Sequence, residues 1–308
     1  MNGVIVVNKP KEFTSFDVVA VMRKICKERK IGHCGTLDPN ATGVLPVLLG
    51  RAAKAQDILP NHDKSYIAEF VLGKVTDTLD IWGEVIKEEK TSVTKDRLLS
   101  VFPNFTGEIE QIPPMYSAVQ VNGQRLYDLA RKGIEVERKP RRITVYSLEL
   151  LEFEEQTQRG KIKVACSKGT YIRTLIDDIA KRLCIGGCMT SLVRDSACGF
   201  ELSDAYTLDE LRELSEKGDL EKALLSTESL FVRYEEICVS APQAKRFANG
   251  GALDAKRIHK KPELMSDGGI YRIKSRDNVF MGLAIYKADE GEIKVYKQFA
   301  VYQNFNNT

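Results

Sequence analysis

No stretch of this 308-residue chain approaches the roughly 20 consecutive apolar residues that a bilayer-spanning helix needs. The apolar run nearest the start, Val4 to Val7, is stopped by Asn8, Lys9 and Pro10, far short of a signal peptide's apolar region. These absences set aside membrane-spanning and secreted classes, and the expected location is the cytoplasm. An excess of charge of one sign is also missing. The 46 basic and 43 acidic residues leave +3, too near neutral for the total alone to announce a polyanion partner. The seven cysteines are odd in number and scattered, so a disulfide framework is not expected and the thiols read as reduced. Cys184 and Cys188 are the only pair near ligand spacing, and no second pair or histidine pair lies close by, which argues against zinc. Internal repeats and low-complexity segments are absent, which leaves one large globular domain, alone or with a small companion.

What is present is a succession of short α and β signals. Residues 4–7 read as a buried first strand. Thr14 or Ser15 can cap a helix with Asp17 in its first turn, and Val18, Val21, Met22 and Ile25 recur at helical spacing. Strands are expected at residues 44–49, in spite of Pro46, and at 66–72, with a helix near 97–102. Adjacent Pro113 and Pro114 impose an extended run on residues 111–118, and a short helix over 124–131 ends at Gly133. Residues 161–166 alternate as a half-buried strand; from Thr174 the apolar spacing turns helical, leaving 167–173 as a junction. Past Phe231, alternating stretches at 270–273, 279–285 and 292–296 read as a small all-β unit. The expected class is α+β, with a mixed domain over residues 1–230 and a smaller β-rich one over 231–308.

The densest group of unusual residues is Gly32-His33-Cys34-Gly35-Thr36-Leu37-Asp38-Pro39-Asn40-Ala41-Thr42-Gly43. A carboxylate just before proline is presented from extended, stiffened backbone, and nearby glycines let backbone approach a large substrate. On pattern alone, an Asp-Pro in a glycine-containing loop is more often only a turn. Basic residues gather at Arg23, Lys24, Lys27, Arg29 and Lys30, at Arg138, Lys139, Arg141 and Arg142, and at Lys256, Arg257, Lys260 and Lys261. Each cluster reads either as phosphate contacts or as a solvated face.

Together with Asn8-Lys9-Pro10 upstream and Gly50-Arg51-Ala52-Ala53-Lys54 downstream, the run from His33 to Gly43 resembles the signature of the TruB family of pseudouridine synthases. The likeness continues through Asp63-Lys64-Ser65-Tyr66, through Gly73-Lys74-Val75-Thr76-Asp77-Thr78 with Asp80, through residues 111–118 and through 166–175, in the family's order from Asn2 to about Leu230. The resemblance implies a pseudouridine synthase catalytic domain on a mixed, largely antiparallel sheet. It also implies an RNA-clamping insertion at about residues 111–142 and a PUA-like β domain over 231–308. The implied activity is isomerisation of the uridine numbered 55 in the T-loop of transfer RNA, without cofactor or metal.

By the same resemblance Asp38 is the nucleophile, Arg173 its ion-pair partner, and Tyr66 an aromatic that packs on the flipped base and accepts the proton leaving C5. Tyr171 and Leu192 are expected to line the pocket, and His33 to fill the space left by the extruded nucleotide. If residues 171–173 are extended, Tyr171 and Arg173 share a face. Lys9 and Pro10 are implied to support the active-site loop. The expected partner is the transfer RNA T stem-loop, with no membrane, no obligate protein partner and a monomeric state. Cys34 and Cys188 depart from the family's usual small residues, and Cys34 beside the site is expected to confer sensitivity to thiol reagents. A transfer RNA folding chaperone would keep the basic clusters but has no need of Asp38, Tyr66, Tyr171 and Arg173 together. A glycosidase-like hydrolase would need a second, paired carboxylate, and none stands out in the sequence.

Overall fold

The computed structural model describes residues 1–258 and 262–300. Lys260 and Lys261 of the third basic cluster, and the last eight residues of the expected second domain, lie outside the described residues. The larger sheet has nine strands, and its main path runs Gly3–Lys9, Thr42–Leu49, Gly187–Ala197, Lys64–Leu72, Arg159–Cys166, Arg141–Glu154, Gly107–Gln111. Neighbours are antiparallel except where Thr42–Leu49 meets Gly187–Ala197, a parallel contact through Val193 opposite Thr42 and Arg194 opposite Gly43. Side chains alternate across a strand, so Tyr66, Ala68, Phe70 and Leu72 all enter the core from one face of Lys64–Leu72.

Among the helices that cover this sheet, two position the site. The Ser15–Ile25 helix buries Val18, Val19 and Met22 against Ile5, Val7, Leu45 and Val47. A reciprocal box fixes its start: the Thr14 side chain accepts from the Asp17 N–H, and the Asp17 carboxylate accepts from the Thr14 N–H. The Ile172–Arg182 helix buries Leu175, Ile176 and Ile179 beside Ala68, Ile162 and Val164. It begins two residues earlier than the apolar spacing predicts, so residues 171–173 are not extended: Tyr171 is the extended N-cap and Arg173 stands in the first helical turn.

Two further expectations change. The helix predicted over 124–131 shrinks to Leu126–Ala130, because Gln124–Arg125 pairs back onto Gln120–Val121. Asn122 and Gly123 between them both have positive φ, at 51° and 80°, which is the two-residue turn that Asn-Gly favours. In the C-terminal region the three predicted strands are present as Ile270–Ser275, Phe280–Lys287 and Glu292–Gln298, joined by Glu236–Val239 and Leu253–Asp254 in a five-stranded sheet. The region is not made of strands alone. A helix, Ala241–Ala248, starts at a capping box formed by Ser240 and Gln243 and buries Ala244 and Phe247. This sheet meets the larger one through a shared core in which Phe231, Leu283 and Phe299 join Val4, Val6 and Leu48. No helix among the described residues is long and apolar enough to cross a membrane.

Gly43 sets how closely the parallel strands approach. Its φ is 102°, and a Cβ there would lie 2.2 Å from the Arg194 carbonyl oxygen. Gly133 also has a left-handed φ, 69°, but open space around it. Gly43→Ala is therefore expected to cost ~2–4 kcal/mol, from strain plus collision, and Gly133→Ala only about 1 kcal/mol, from strain. Urea unfolding midpoints of the two variants test this difference.

Candidate active site

The motif loop leaves the Ile31–His33 strand and returns as Thr42–Leu49. Asp38-Pro39-Asn40-Ala41 closes a turn in which the Ala41 N–H donates to the Asp38 carbonyl at 3.1 Å, with proline at the position whose φ it pre-sets. Two buried cations hold this loop from below. Lys9, with no exposed surface, donates to the carbonyls of Pro10 at 2.9 Å, Phe13 at 2.5 Å and Pro39 at 2.9 Å. Arg194, equally buried, donates from Nε to the Val44 carbonyl at 2.8 Å and from Nη2 to the Gly35 carbonyl at 3.0 Å. The Ser15 hydroxyl accepts the Leu37 N–H at 2.9 Å. Lys9 thus stands where a supporting residue is expected. Arg194 carries no role in the sequence pattern, because only the strand register reveals that it sits under the loop.

Arg173 is the hub of the site. Its Nε lies 3.1 Å from Asp38 Oδ2, its Nη1 donates to the Thr78 carbonyl at 2.9 Å and lies 3.4 Å from Asp80 Oδ2, and its Nη2 donates to the Tyr116 carbonyl at 2.9 Å. The Arg173 side chain is only 6% exposed while that of Asp38 is 44% exposed, so a buried cation anchors a carboxylate that faces open space. Asp80 is held in place by the Thr78 hydroxyl, which donates to Oδ1 at 2.7 Å, and by the Trp82 N–H at 3.2 Å. Burial raises the Asp80 pKa, against the pull of the Thr78 hydrogen bond and the Arg173 charge. Asp80 lies within a stretch that carries the family resemblance, yet spacing alone gives no hint that it shares Arg173 with Asp38.

Asp38 and Arg173 line a cavity of about 430 Å³ together with Tyr66, Tyr171 and Leu192, a volume within the ~300–1,000 Å³ range of ligand pockets. The sheet register explains the gathering. Tyr66 lies directly across from Arg194, and Leu192 directly across from Ala68, so these side chains share one face of adjacent strands. Burial pushes the Tyr66 phenol up to about 12, with the Arg194 charge working in the other direction. At neutral pH Tyr66 therefore keeps its proton. Tyr171 is fixed through its backbone: its N–H donates to Gln111 Oε1 at 2.8 Å and its carbonyl accepts from Gln111 Nε2 at 3.0 Å.

His33 lies beside the loop rather than among the cavity-lining residues. Its ring meets Phe16 edge-on, with centroids 6.2 Å apart, and Phe16 is 71% exposed. Burial first, and then the Arg194 charge, lower the His33 pKa and favour a neutral imidazole. The insertion of residues 111–142 is rooted in the site by Gln111 on Tyr171 and by the Tyr116 carbonyl on Arg173. The Tyr116 hydroxyl donates to Asp77 Oδ2 at 3.1 Å. Arg125, Arg131, Arg141 and Arg142 of the insertion are exposed. Cys34 is 2% exposed, and the neighbouring Cys198 thiol together with burial raises its pKa.

Residues 23–172 match the family model described as TruB family pseudouridylate synthase, N terminal domain. The chain is 43% identical over 298 residues to tRNA pseudouridine synthase B of Clostridium perfringens, covering 96% of this chain and 98% of that protein. It is 42% identical to tRNA pseudouridine synthase B of Lactobacillus johnsonii over 90% of this chain and 95% of the relative. Among solved structures, the crystal structure of a Cbf5-Nop10-Gar1 complex superposes with a TM-score of 0.76 at 27% identity, over 99% of this chain and 87% of that one. The archaeal box H/ACA sRNP Nop10-Cbf5 complex gives a TM-score of 0.75 at 25% identity, over 100% of this chain and 89% of that one.

Proposed function

Because the chain belongs to the TruB family of pseudouridylate synthases and so isomerises uridine in transfer RNA, we propose that its target is the T-loop uridine numbered 55 and that Asp38 is the nucleophile. The observation that carries this reading is the ion pair of a half-exposed Asp38 with a buried Arg173, in the wall of a nucleotide-sized cavity. The buried guanidinium holds the Asp38 carboxylate at the cavity wall. The flipped uridine enters against Tyr66 and Leu192, and stacking compensates part of the unstacking cost. Asp38 forms a covalent bond to the substrate, at the sugar C1′ or on the uracil ring, as the bond from C1′ to N1 breaks, and the bond to Asp38 breaks again once C1′ has joined C5, which regenerates the carboxylate. The base turns, C1′ joins C5, the C5 proton departs and N1 carries a proton in the product. Atoms and oxidation state are conserved, so the chemistry asks for positioning and proton movement alone. Tyr66, which holds its own proton, serves as a relay: its hydroxyl takes the C5 proton as its own passes to water, and N1 takes its proton from water. His33 and the exposed Phe16 occupy the space from which the uridine is drawn. Residues 111–142 clamp the T stem-loop, residues 231–308 form a second RNA-contacting domain, and the enzyme works as a cytoplasmic monomer without guide RNA. Its likeness to named tRNA pseudouridine synthases over nearly the whole length of both chains supports the stand-alone form.

Moving the sugar to C5 expels the hydrogen there. Transfer RNA transcribed with uridine tritiated at C5 is therefore expected to release tritium to water with no free uracil. A chaperone would refold the RNA and release neither, and a hydrolase would release uracil.

Lys9 gives the reaction an alkaline limit. Burial lowers its pKa to about 8, although the Asp38 charge pulls upward. Above that pH the neutral amine has only two N–H groups for three carbonyls, and the hold on Pro39 loosens. Activity is expected to fall as pH rises through about 8. Stability has the opposite sign. Between about 8 and the ordinary lysine value the unfolded chain binds a proton that the folded chain lacks, so Lys9 favours the fold more as pH rises through this window. Lys9→Met should show lower activity at neutral pH and no alkaline limb, read from kcat/KM against pH.

A further inference from the structure

Trp82 is the single tryptophan of the chain, and it stays out of the core: 42% of its surface is exposed. Its backbone is nevertheless fixed. The Trp82 N–H donates to Asp80 Oδ1 at 3.2 Å, and the Ile81 N–H before it donates to the Met189 carbonyl at 2.8 Å. Gly83, the next residue, fits so closely that a Cβ there would lie 2.2 Å from the Thr78 hydroxyl oxygen. Beyond it the Glu84 N–H donates to Asp77 Oδ1 at 2.8 Å. Asp77 Oδ2 accepts the Tyr116 hydroxyl, so the loop that presents the indole also anchors the insertion of residues 111–142.

The indole meets a second loop that braces the nucleophile. Lys11 Nζ stands over the ring, 5.5 Å from its centroid. Lys11 follows Pro10 in a short turn whose Pro10 and Phe13 carbonyls are held by Lys9, and Lys9 also holds Pro39. On its own side, Trp82 is joined through Asp80 to Arg173, and through Arg173 to Asp38. Trp82 does not line the uridine cavity; it stands outside, between two loops that both support Asp38. Lys11 is exposed, and among the described residues its ammonium has no carboxylate partner. A fixed, half-open indole beside such a cation is the combination with which proteins hold unpaired RNA: the aromatic stacks a base and the cation meets a phosphate. An apolar side chain of a protein partner would leave the cation without a counter-charge, whereas an RNA strand supplies a phosphate for every base.

We propose that Trp82 and Lys11 form an RNA-binding subsite outside the uridine cavity, in which the indole stacks an unpaired T-loop base near the flipped uridine and Lys11 contacts the adjoining phosphate. The placement near the flipped uridine rests on the reading that the cavity beside Asp38 receives the target. Drawing a uridine out of the loop leaves its former neighbours with uncovered faces, an unstacking cost that the protein must offset. His33 and Phe16 fill the vacated space, and Trp82 covers a base that has lost its partner. Because the indole and Lys11 are tied to the loops that hold Asp38, the base they grip is held in fixed relation to the nucleophile. The subsite thereby favours the opened form of the loop over a paired stem.

As the single tryptophan, Trp82 reports on its own surroundings. The full-length protein would be titrated with an unmodified transfer RNA transcript, and separately with a fully paired RNA duplex, while tryptophan emission is followed. The transcript is expected to quench the emission as it saturates the protein, and the duplex to leave it unchanged. Filter binding of the same transcript should show Trp82→Ala weaker by about tenfold, with most of that loss recovered in Trp82→Phe. Lys11→Met should lower the slope of log affinity against log salt by about one. The quench is read on the unaltered protein, so it decides the contact even if a variant folds poorly. Saturation by the transcript with unchanged emission would overturn the proposal, as would equal quenching by the duplex or wild-type affinity in Trp82→Ala. Quenching by the transcript alone, in a protein that makes no pseudouridine, would sink the functional reading and leave the RNA contact standing.

Discussion

Replacing Asp38 with asparagine is expected to slow pseudouridine formation by more than about a thousandfold, a barrier increase of ~4 kcal/mol, while RNA affinity stays within a few-fold of wild type. The amide has nearly the shape of the carboxylate but no charge with which to attack. The fold should tolerate the change, because the Asp38 side chain is 44% exposed and its ion pair is screened by water. Arg173 also retains Asp80 and the carbonyls of Thr78 and Tyr116. Single-turnover rates measured with saturating enzyme separate chemistry from binding. A loss smaller than about tenfold would mean that another group attacks.

Arg173→Met should have a different signature, damaging fold and catalysis together. The guanidinium meets two carboxylates and two carbonyls from three segments of the chain. Its removal leaves Asp80, at 12% side-chain exposure, without its cation. Breaking a buried pair from one side costs about 3–5 kcal/mol, and the Asp80 pKa, already raised by burial, should rise further. Activity is expected to fall by ~100-fold or more, since Asp38 loses the group that orients it and Tyr116 no longer ties the insertion to the site. Arg173→Lys should recover part of the stability and little of the rate, because one ammonium cannot reproduce a planar fork. Denaturant midpoints together with turnover rates of both variants test this. A Met variant as stable as wild type would remove Arg173 from the centre of the site.

The two Asp38 and Arg173 expectations differ because the residues are legible in different ways. Asp38 stands in a compact run that local sequence displays: Asp before Pro, with glycines on either side. The strands at 44–49 and 66–72 were equally open to reading from their apolar content, and Pro46 fits because it faces Val6 at a position the strand accommodates. Arg194 is different. It is a single arginine in a strand, and its place under the motif loop follows from a parallel pairing between segments 151 residues apart, Gly43 with Arg194, which no local pattern encodes. Asp80 escapes for the same reason. The misplaced helix at 124–131 had a local signal, Asn122-Gly123, outweighed by the apolar spacing that follows it. The helix at Ala241–Ala248 was marked by Ser240 and Gln243 within a region otherwise rich in strand signals. His33 and Cys34 adjoin in sequence yet diverge in structure, one beside exposed Phe16 and the other beneath the cavity wall.

The most direct test is to incubate purified protein with an unmodified transfer RNA transcript and map pseudouridine at single-nucleotide resolution, for wild type and for Asp38→Asn. A single pseudouridine at the T-loop uridine 55 with wild type, none with Asp38→Asn, and equal binding by both is the predicted result. Equal binding with no pseudouridine from either protein, or pseudouridine made equally well by both, would contradict it.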